Sequence, residues 1–93
     1  MDTVNELQRI DQQLDNLLDQ WERLPEVAAT IATWSVLEQI EFIEEWPIQE
    51  DQLKLLADRI AKKPATAQQR TRYAELLQVV ATNRPIITRL QNS

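Results

Sequence analysis

A chain of 93 residues, 43% hydrophobic and 27% charged with a formal net charge of −5, is sized and composed for one globular domain with a thin core. It contains no glycine, cysteine or histidine. That excludes disulfides, thiolate or imidazole zinc sites, a Gly-rich phosphate loop, a histidine general base and a cysteine nucleophile.

The first element is a long amphipathic helix. Thr3 and Glu6 have the spacing of a capping box, in which hydroxyl and carboxylate satisfy two free backbone N–H groups. Leu7, Ile10, Leu14, Leu17, Trp21 and Leu24 then recur three and four residues apart in an a/d heptad register, with Leu18 widening the stripe. The spacing predicts a helix over about residues 4–24, ended by Pro25, because the residue before a proline avoids the α region.

From Glu26 to Trp46 the pattern is helical but less regular. Val27, Ile31 and Trp34 share one face, and Ser35 with Glu38 forms a second capping box ahead of Leu37, Ile40 and Ile43. Two helices, a short one before Trp34 and a longer one after Ser35, fit this stretch; one bent helix is the alternative. Trp46-Pro47 predicts a stop. Asp51 is a candidate cap for a further helix carrying Leu53, Leu56, Ala57 and Ile60, with Lys62 and Lys63 in its last turn and Pro64 closing it. Thr66 with Gln69 is a third capping box, opening a helix with Tyr73, Leu76, Leu77 and Val80 on one face. Asn83-Arg84-Pro85 predicts a break or kink before Ile86, Ile87 and Leu90. The expected fold is all-α: one domain over residues 1–93, a small bundle of four or five helices packed as antiparallel neighbours behind a long heptad-patterned N-terminal helix.

Charge is divided along the chain. Residues 1–51 hold thirteen acidic and two basic side chains, a net of −11, and residues 52–93 hold two acidic and eight basic, a net of +6. Either the acidic and basic halves attract each other when they pack, or one of them meets a partner of opposite charge. Lys62, Lys63, Arg70, Arg72, Arg84 and Arg89 form the candidate basic contact surface. They are spread over two helices and a tail, and the pI of about 4.6 is far from the basic value usual for a nucleic-acid module.

No catalytic, cofactor-binding or metal-binding residues are expected. Glu38, Glu41 and Glu45 fall along one helix face, but a carboxylate metal site needs a second acidic pair on another helix, and only Asp58 and Glu75 follow Asp51. Ser35 has no base to activate it, and Lys54, Lys62 and Lys63 sit at surface or helix-end positions. Enzyme activity is therefore not expected. No apolar run approaches the roughly 20 residues that span a bilayer, and the acidic, polar start is unlike a signal peptide, so cytoplasmic residence is the expectation.

The function expected is protein–protein interaction, as a small adaptor, assembly factor or regulatory subunit without a cofactor. The candidate interface is the helix face formed by Leu7, Ile10, Leu14, Leu17 and Trp21, offered to the rest of the chain, a second copy or a partner helix. Trp46, beside Pro47, is a candidate partner anchor, since interfaces favour tryptophan at their energetic centres. A thin core makes a homodimer the expected state. The alternative is a nucleic-acid-associated regulator of antitoxin type using the basic C-terminal half.

Overall fold

The computed structural model describes residues 3–62 and 65–92, and among them every regular element is helical. Helix α1 covers Thr3–Glu22, α2 is the seven-residue Leu24–Thr30, a 3-10 turn follows at Ile31–Thr33, α3 covers Val36–Lys62 and α4 covers Ala67–Gln91. The all-α expectation holds, with three long helices and a short α2 segment. The Thr3–Glu6 box, Lys63 and Pro64 fall on side chains or residues outside those described.

Two of the sequence-legible caps are present as expected. At the start of α3 the Glu38 backbone N–H donates to Ser35 Oγ at 3.2 Å, and the Ser35 N–H donates to Glu38 Oε1 at 3.3 Å. At the start of α4 the Gln69 N–H donates to Thr66 Oγ1 and the Thr66 N–H to Gln69 Oε1, both at 3.0 Å. Each pair satisfies two of the four donors a helix start leaves free.

The stop expected at Trp46-Pro47 is absent, and of the break or kink expected at Asn83-Arg84-Pro85 no break occurs: α3 runs 27 residues through Pro47, and α4 runs 25 residues through Pro85. An internal proline forfeits one helical hydrogen bond and crowds the carbonyl four residues earlier, at a cost of about 3 kcal/mol. Both prolines are exposed, so their rings lie in solvent while buried residues on either side hold the helix down: Trp46 and Leu53 around Pro47, Asn83 and Ile87 around Pro85. With α3 continuous, Asp51 lies in mid-helix and caps nothing.

The three long helices run up, down and up. Gln13 meets Gln52 and Arg59 while Trp21 meets Trp46, so α1 and α3 are antiparallel. Gln69 meets Leu7, Arg72 meets Asp15 and Asn83 meets Trp21, so α1 and α4 are parallel. Consecutive long helices are thus antiparallel neighbours, but the first and last close the bundle in the same direction. The core is one cluster in which Ile10, Leu14, Leu17, Trp21 and Leu24 meet Trp46, Leu53 and Leu56 of α3 and Leu76, Val80 and Ile87 of α4. The molecule extends 47 × 22 × 17 Å.

The turn from α1 into α2 needs a repair, and α4 supplies it. In an unbroken helix the Trp21 carbonyl would accept from the N–H of residue 25, and residue 25 is proline, which has none. Asn83 Nδ2 donates to that carbonyl at 2.8 Å, and both groups are buried. At the other end of the bundle Gln69 Nε2 donates to the Leu7 carbonyl at 2.9 Å and to Asp11 Oδ1 at 3.1 Å. One glutamine therefore caps its own helix and pins it to α1. The two buried polar side chains of α4, Gln69 and Asn83, fix its register on α1 at both ends.

Candidate interaction surface

The candidate helix interface lies inside the chain. Ile10, Leu14, Leu17 and Trp21 are buried and Leu7 is half-buried, against α3 and α4 of the same molecule. Of the three destinations the sequence allowed for this face, the rest of the chain takes it, and two different helices rather than one coil partner cover it.

Trp46 is not an exposed anchor. It is 3% exposed, with its ring edge-to-face on Trp21 at 5.0 Å between centroids and 78° between planes. Phe42 lies on it at 5.6 Å, and Trp34 meets Phe42 edge-on at 5.7 Å. The correction has a plain cause: because α3 does not stop at Pro47, residue 46 stays on the inner face with Phe42, Leu53, Leu56 and Ile60. The Nε1–H groups of Trp21 and Trp46 are both buried without a hydrogen-bond partner among the described residues. From α4, the Arg84 guanidinium stacks over Trp21 at 5.5 Å and also donates to both carboxylate oxygens of Glu50, at 2.7 and 3.1 Å.

The basic surface is partly consumed in the same way. Arg84 pairs with Glu50, Arg72 reaches Asp15 and lies 3.8 Å from Asp11, and Lys62 pairs with Asp58 on its own helix at 2.9 Å. Arg59, outside the candidate set, donates to Gln13 Oε1 at 2.7 Å. Part of the charge division between the two halves is thus bridged between helices of one chain. Arg70 and Arg89 remain exposed near opposite ends of α4, about 28 Å apart along the axis. They do not form one patch with Arg72 and Arg84.

The surface that sequence reasoning missed is the outer face of α3. Val36 is 71% exposed, Leu37 65%, Ile40 45%, Ile48 55% and Leu55 51%. Leu37 and Ile40, which follow the Ser35 cap, are on the solvent side. Leu37, Ile48 and Leu55 stack along one line of the helix, with offsets of eleven and seven residues, and Val36, Ile40 and Pro47 lie on the adjacent line. Read as one unbroken helix, residues 36–62 place apolar side chains on two opposite faces, and only one meets the core. Between Val36 and Asp51 this helix carries six acids and no base. Glu38 is engaged in its cap and Glu50 with Arg84, while Glu41, Glu44, Glu45 and Asp51 are exposed and take part in no ion pair among the described residues.

The described cavities are open rather than enclosed. One, of about 500 Å³, lies between α1, α2 and α3, and its lining includes Arg23, Glu26, Val27, Thr30, Trp34 and Phe42. Among the described residues no three acidic side chains converge as metal ligands, and no helix is long and apolar enough to cross a membrane. No family model, curated protein or solved structure matches the chain.

Proposed function

We propose that the protein is a protein–protein interaction module, an adaptor or regulatory subunit, that engages its partner through the outer face of α3. The observation that carries this is the row of five large apolar side chains left in solvent on a helix whose opposite face is fully used by the core. Scattered exposed apolar residues are normal, but five aligned on one helix face, with acids between them, support a binding surface. The role first assigned to the α1 face passes to α3, because the α1 residues are the core itself.

A nucleic-acid-associated regulator has less to rest on. Three of its candidate contacts, Lys62, Arg72 and Arg84, already hold carboxylates within the chain, and the exposed remainder is dispersed. Self-association, expected from the thin core, has the exposed apolar side chains of α3 and Leu77 of α4 to draw on.

The test is capture of partners by the tagged protein from nuclease-treated extract, run beside a Leu37→Ser, Ile48→Ser, Leu55→Ser variant. Surface substitutions of this kind change stability by about 0.5 kcal/mol or less each, so the variant should melt near the wild type. A defined protein retained by the wild type and lost from the folded variant supports the module. Identical capture by both removes α3 as the surface, and loss on nuclease treatment favours the nucleic-acid reading.

A further inference from the structure

Building on α3 as the docking face, we infer that its occupant is a basic amphipathic helix of another protein, which lays an apolar stripe along Leu37, Ile40, Ile48 and Leu55 and sets Lys or Arg side chains against Glu41, Glu44, Glu45 and Asp51. The charge of the face decides between occupants. Apolar side chains alone would accept any complementary stripe, including a second copy of α3. The acids discriminate: Glu44 lies on the apolar line between Leu37 and Ile48, Asp51 lies between Ile48 and Leu55, and Glu41 and Glu45 run along one border. Any helix that covers the apolar residues must approach these carboxylates and remove part of their water. Leaving them unpaired there is costly, whereas pairing them with cations is favourable and steers association.

Between Leu37 and Leu55 a second copy of α3 brings one cation, Lys54, against six acids. Packed parallel in register, each acid meets its own counterpart. Packed antiparallel about Ile48, Glu45 faces Asp51 and Glu44 faces Gln52. Like charges opposed across an interface disfavour the pairing. Of the other cations, Arg72 is held by Asp15 of α1 and Arg84 by Glu50 where α4 meets α3. From Leu37 to Leu55 the face is about 27 Å long, so the complementary segment is a helix of about 18 residues. Its apolar side chains recur at three and four residues, and basic side chains border them.

The probe is a fluorescein-labelled 18-residue Leu/Lys peptide with Leu at spacings of three and four, titrated with the intact protein at 0.15 M salt and followed by anisotropy. Two controls accompany it: a peptide of the same composition with the Leu pattern scrambled, and one with Glu in place of every Lys. Saturable micromolar binding of the patterned basic peptide alone is expected. Leu37→Ser with Ile48→Ser should weaken it at least tenfold, as should Glu41→Gln, Glu44→Gln and Glu45→Gln together. Glu22→Gln with Glu26→Gln, which lowers the net negative charge away from this face, should leave the affinity unchanged. Equal binding of the scrambled peptide, equal weakening by the Glu22 and Glu26 changes, binding of the acidic peptide, or no binding at 100 µM would each overturn the inference. So would a dimer in sedimentation that excludes the peptide, because the occupant would then be a second copy. If α3 captures a protein partner that has no basic helix, the module stands and its partner chemistry is wrong; if the capture itself is insensitive to α3, both fall.

Discussion

Asn83 offers the sharpest test of how this bundle is held together, because it answers a defect that another residue creates. Pro25 removes the N–H that would have closed the last turn over the Trp21 carbonyl, and Asn83 Nδ2 replaces it from α4 at 2.8 Å. Substituting Asn83→Leu keeps the branch at Cγ and removes the donor; the cost of its added volume is common to both backgrounds compared below. A buried carbonyl left without a partner costs about 1–3 kcal/mol. In a domain of this size 1 kcal/mol moves the melting temperature by about 4–8 °C. Asn83→Leu should therefore lower Tm by about 5–20 °C in a thermal melt followed by helical circular dichroism. The informative step is the second background. Pro25→Ala restores an N–H at position 25, which lets α1 run on into α2 and satisfy the Trp21 carbonyl locally. In that background Asn83→Leu should cost at least 1 kcal/mol less, a coupling within the range of contacting residues. If Asn83→Leu costs the same with and without Pro25, then Asn83 is not standing in for the missing donor, and the account of the α1–α2 junction is wrong.

Leu14 is fully buried, so Leu14→Ala should destabilise by about 2–5 kcal/mol, while Leu55→Ala on the outer face of α3 should change stability by less than about 0.5 kcal/mol in the same denaturant titration. Comparable losses at the two positions would mean α3 is turned the other way. Trp46→Ala should cost about 3–5 kcal/mol, but Trp46→Phe much less than its lost area implies, because it also removes a buried N–H that has no partner. Gln69→Ala should cost about 1–2 kcal/mol and raise amide exchange at both the start of α4 and the Leu7 region, since one side chain serves both; exchange confined to α4 would show that the link to Leu7 contributes nothing. Pro47→Ala should stabilise by up to about 3 kcal/mol, since it restores a helical hydrogen bond at an exposed position of a continuous helix; a loss of stability would show that α3 depends on a bend there.

What could be read from the sequence was what depends on neighbours in the chain. The three-and-four spacing from Leu7 to Leu24 identified the buried face of α1, and the Ser35–Glu38 and Thr66–Gln69 pairs marked two helix starts within a residue. Pro47 and Pro85 misled because the rule that a proline ends a helix is local, while the contacts that carry α3 and α4 through them come from residues of other helices. That one error propagated. With α3 cut at Trp46, Trp46 looks like a loose end and Asp51 like a cap. The Asn83–Trp21 and Gln69–Leu7 bonds join residues 62 apart, and no spacing rule addresses that distance. The candidate surface was hidden for the same reason: two apolar faces on one helix become visible only when the helix is known to be unbroken. The charge division was legible from the start, but its partition between Arg72–Asp15 and Arg84–Glu50 inside the chain and free carboxylates on α3 needed the packing.

The outer face of α3 as a protein-binding surface is the central functional claim, and photo-crosslinking inside the producing cell tests it most directly. A photoreactive phenylalanine analogue at Ile48 is compared with one at Gln78, on the exposed side of α4. The account expects a discrete, heavier adduct from position 48, none from position 78, and loss of the adduct when Leu37 and Leu55 are both serine. An adduct from position 78 alone, or none from position 48 while the protein is folded and expressed, would contradict it.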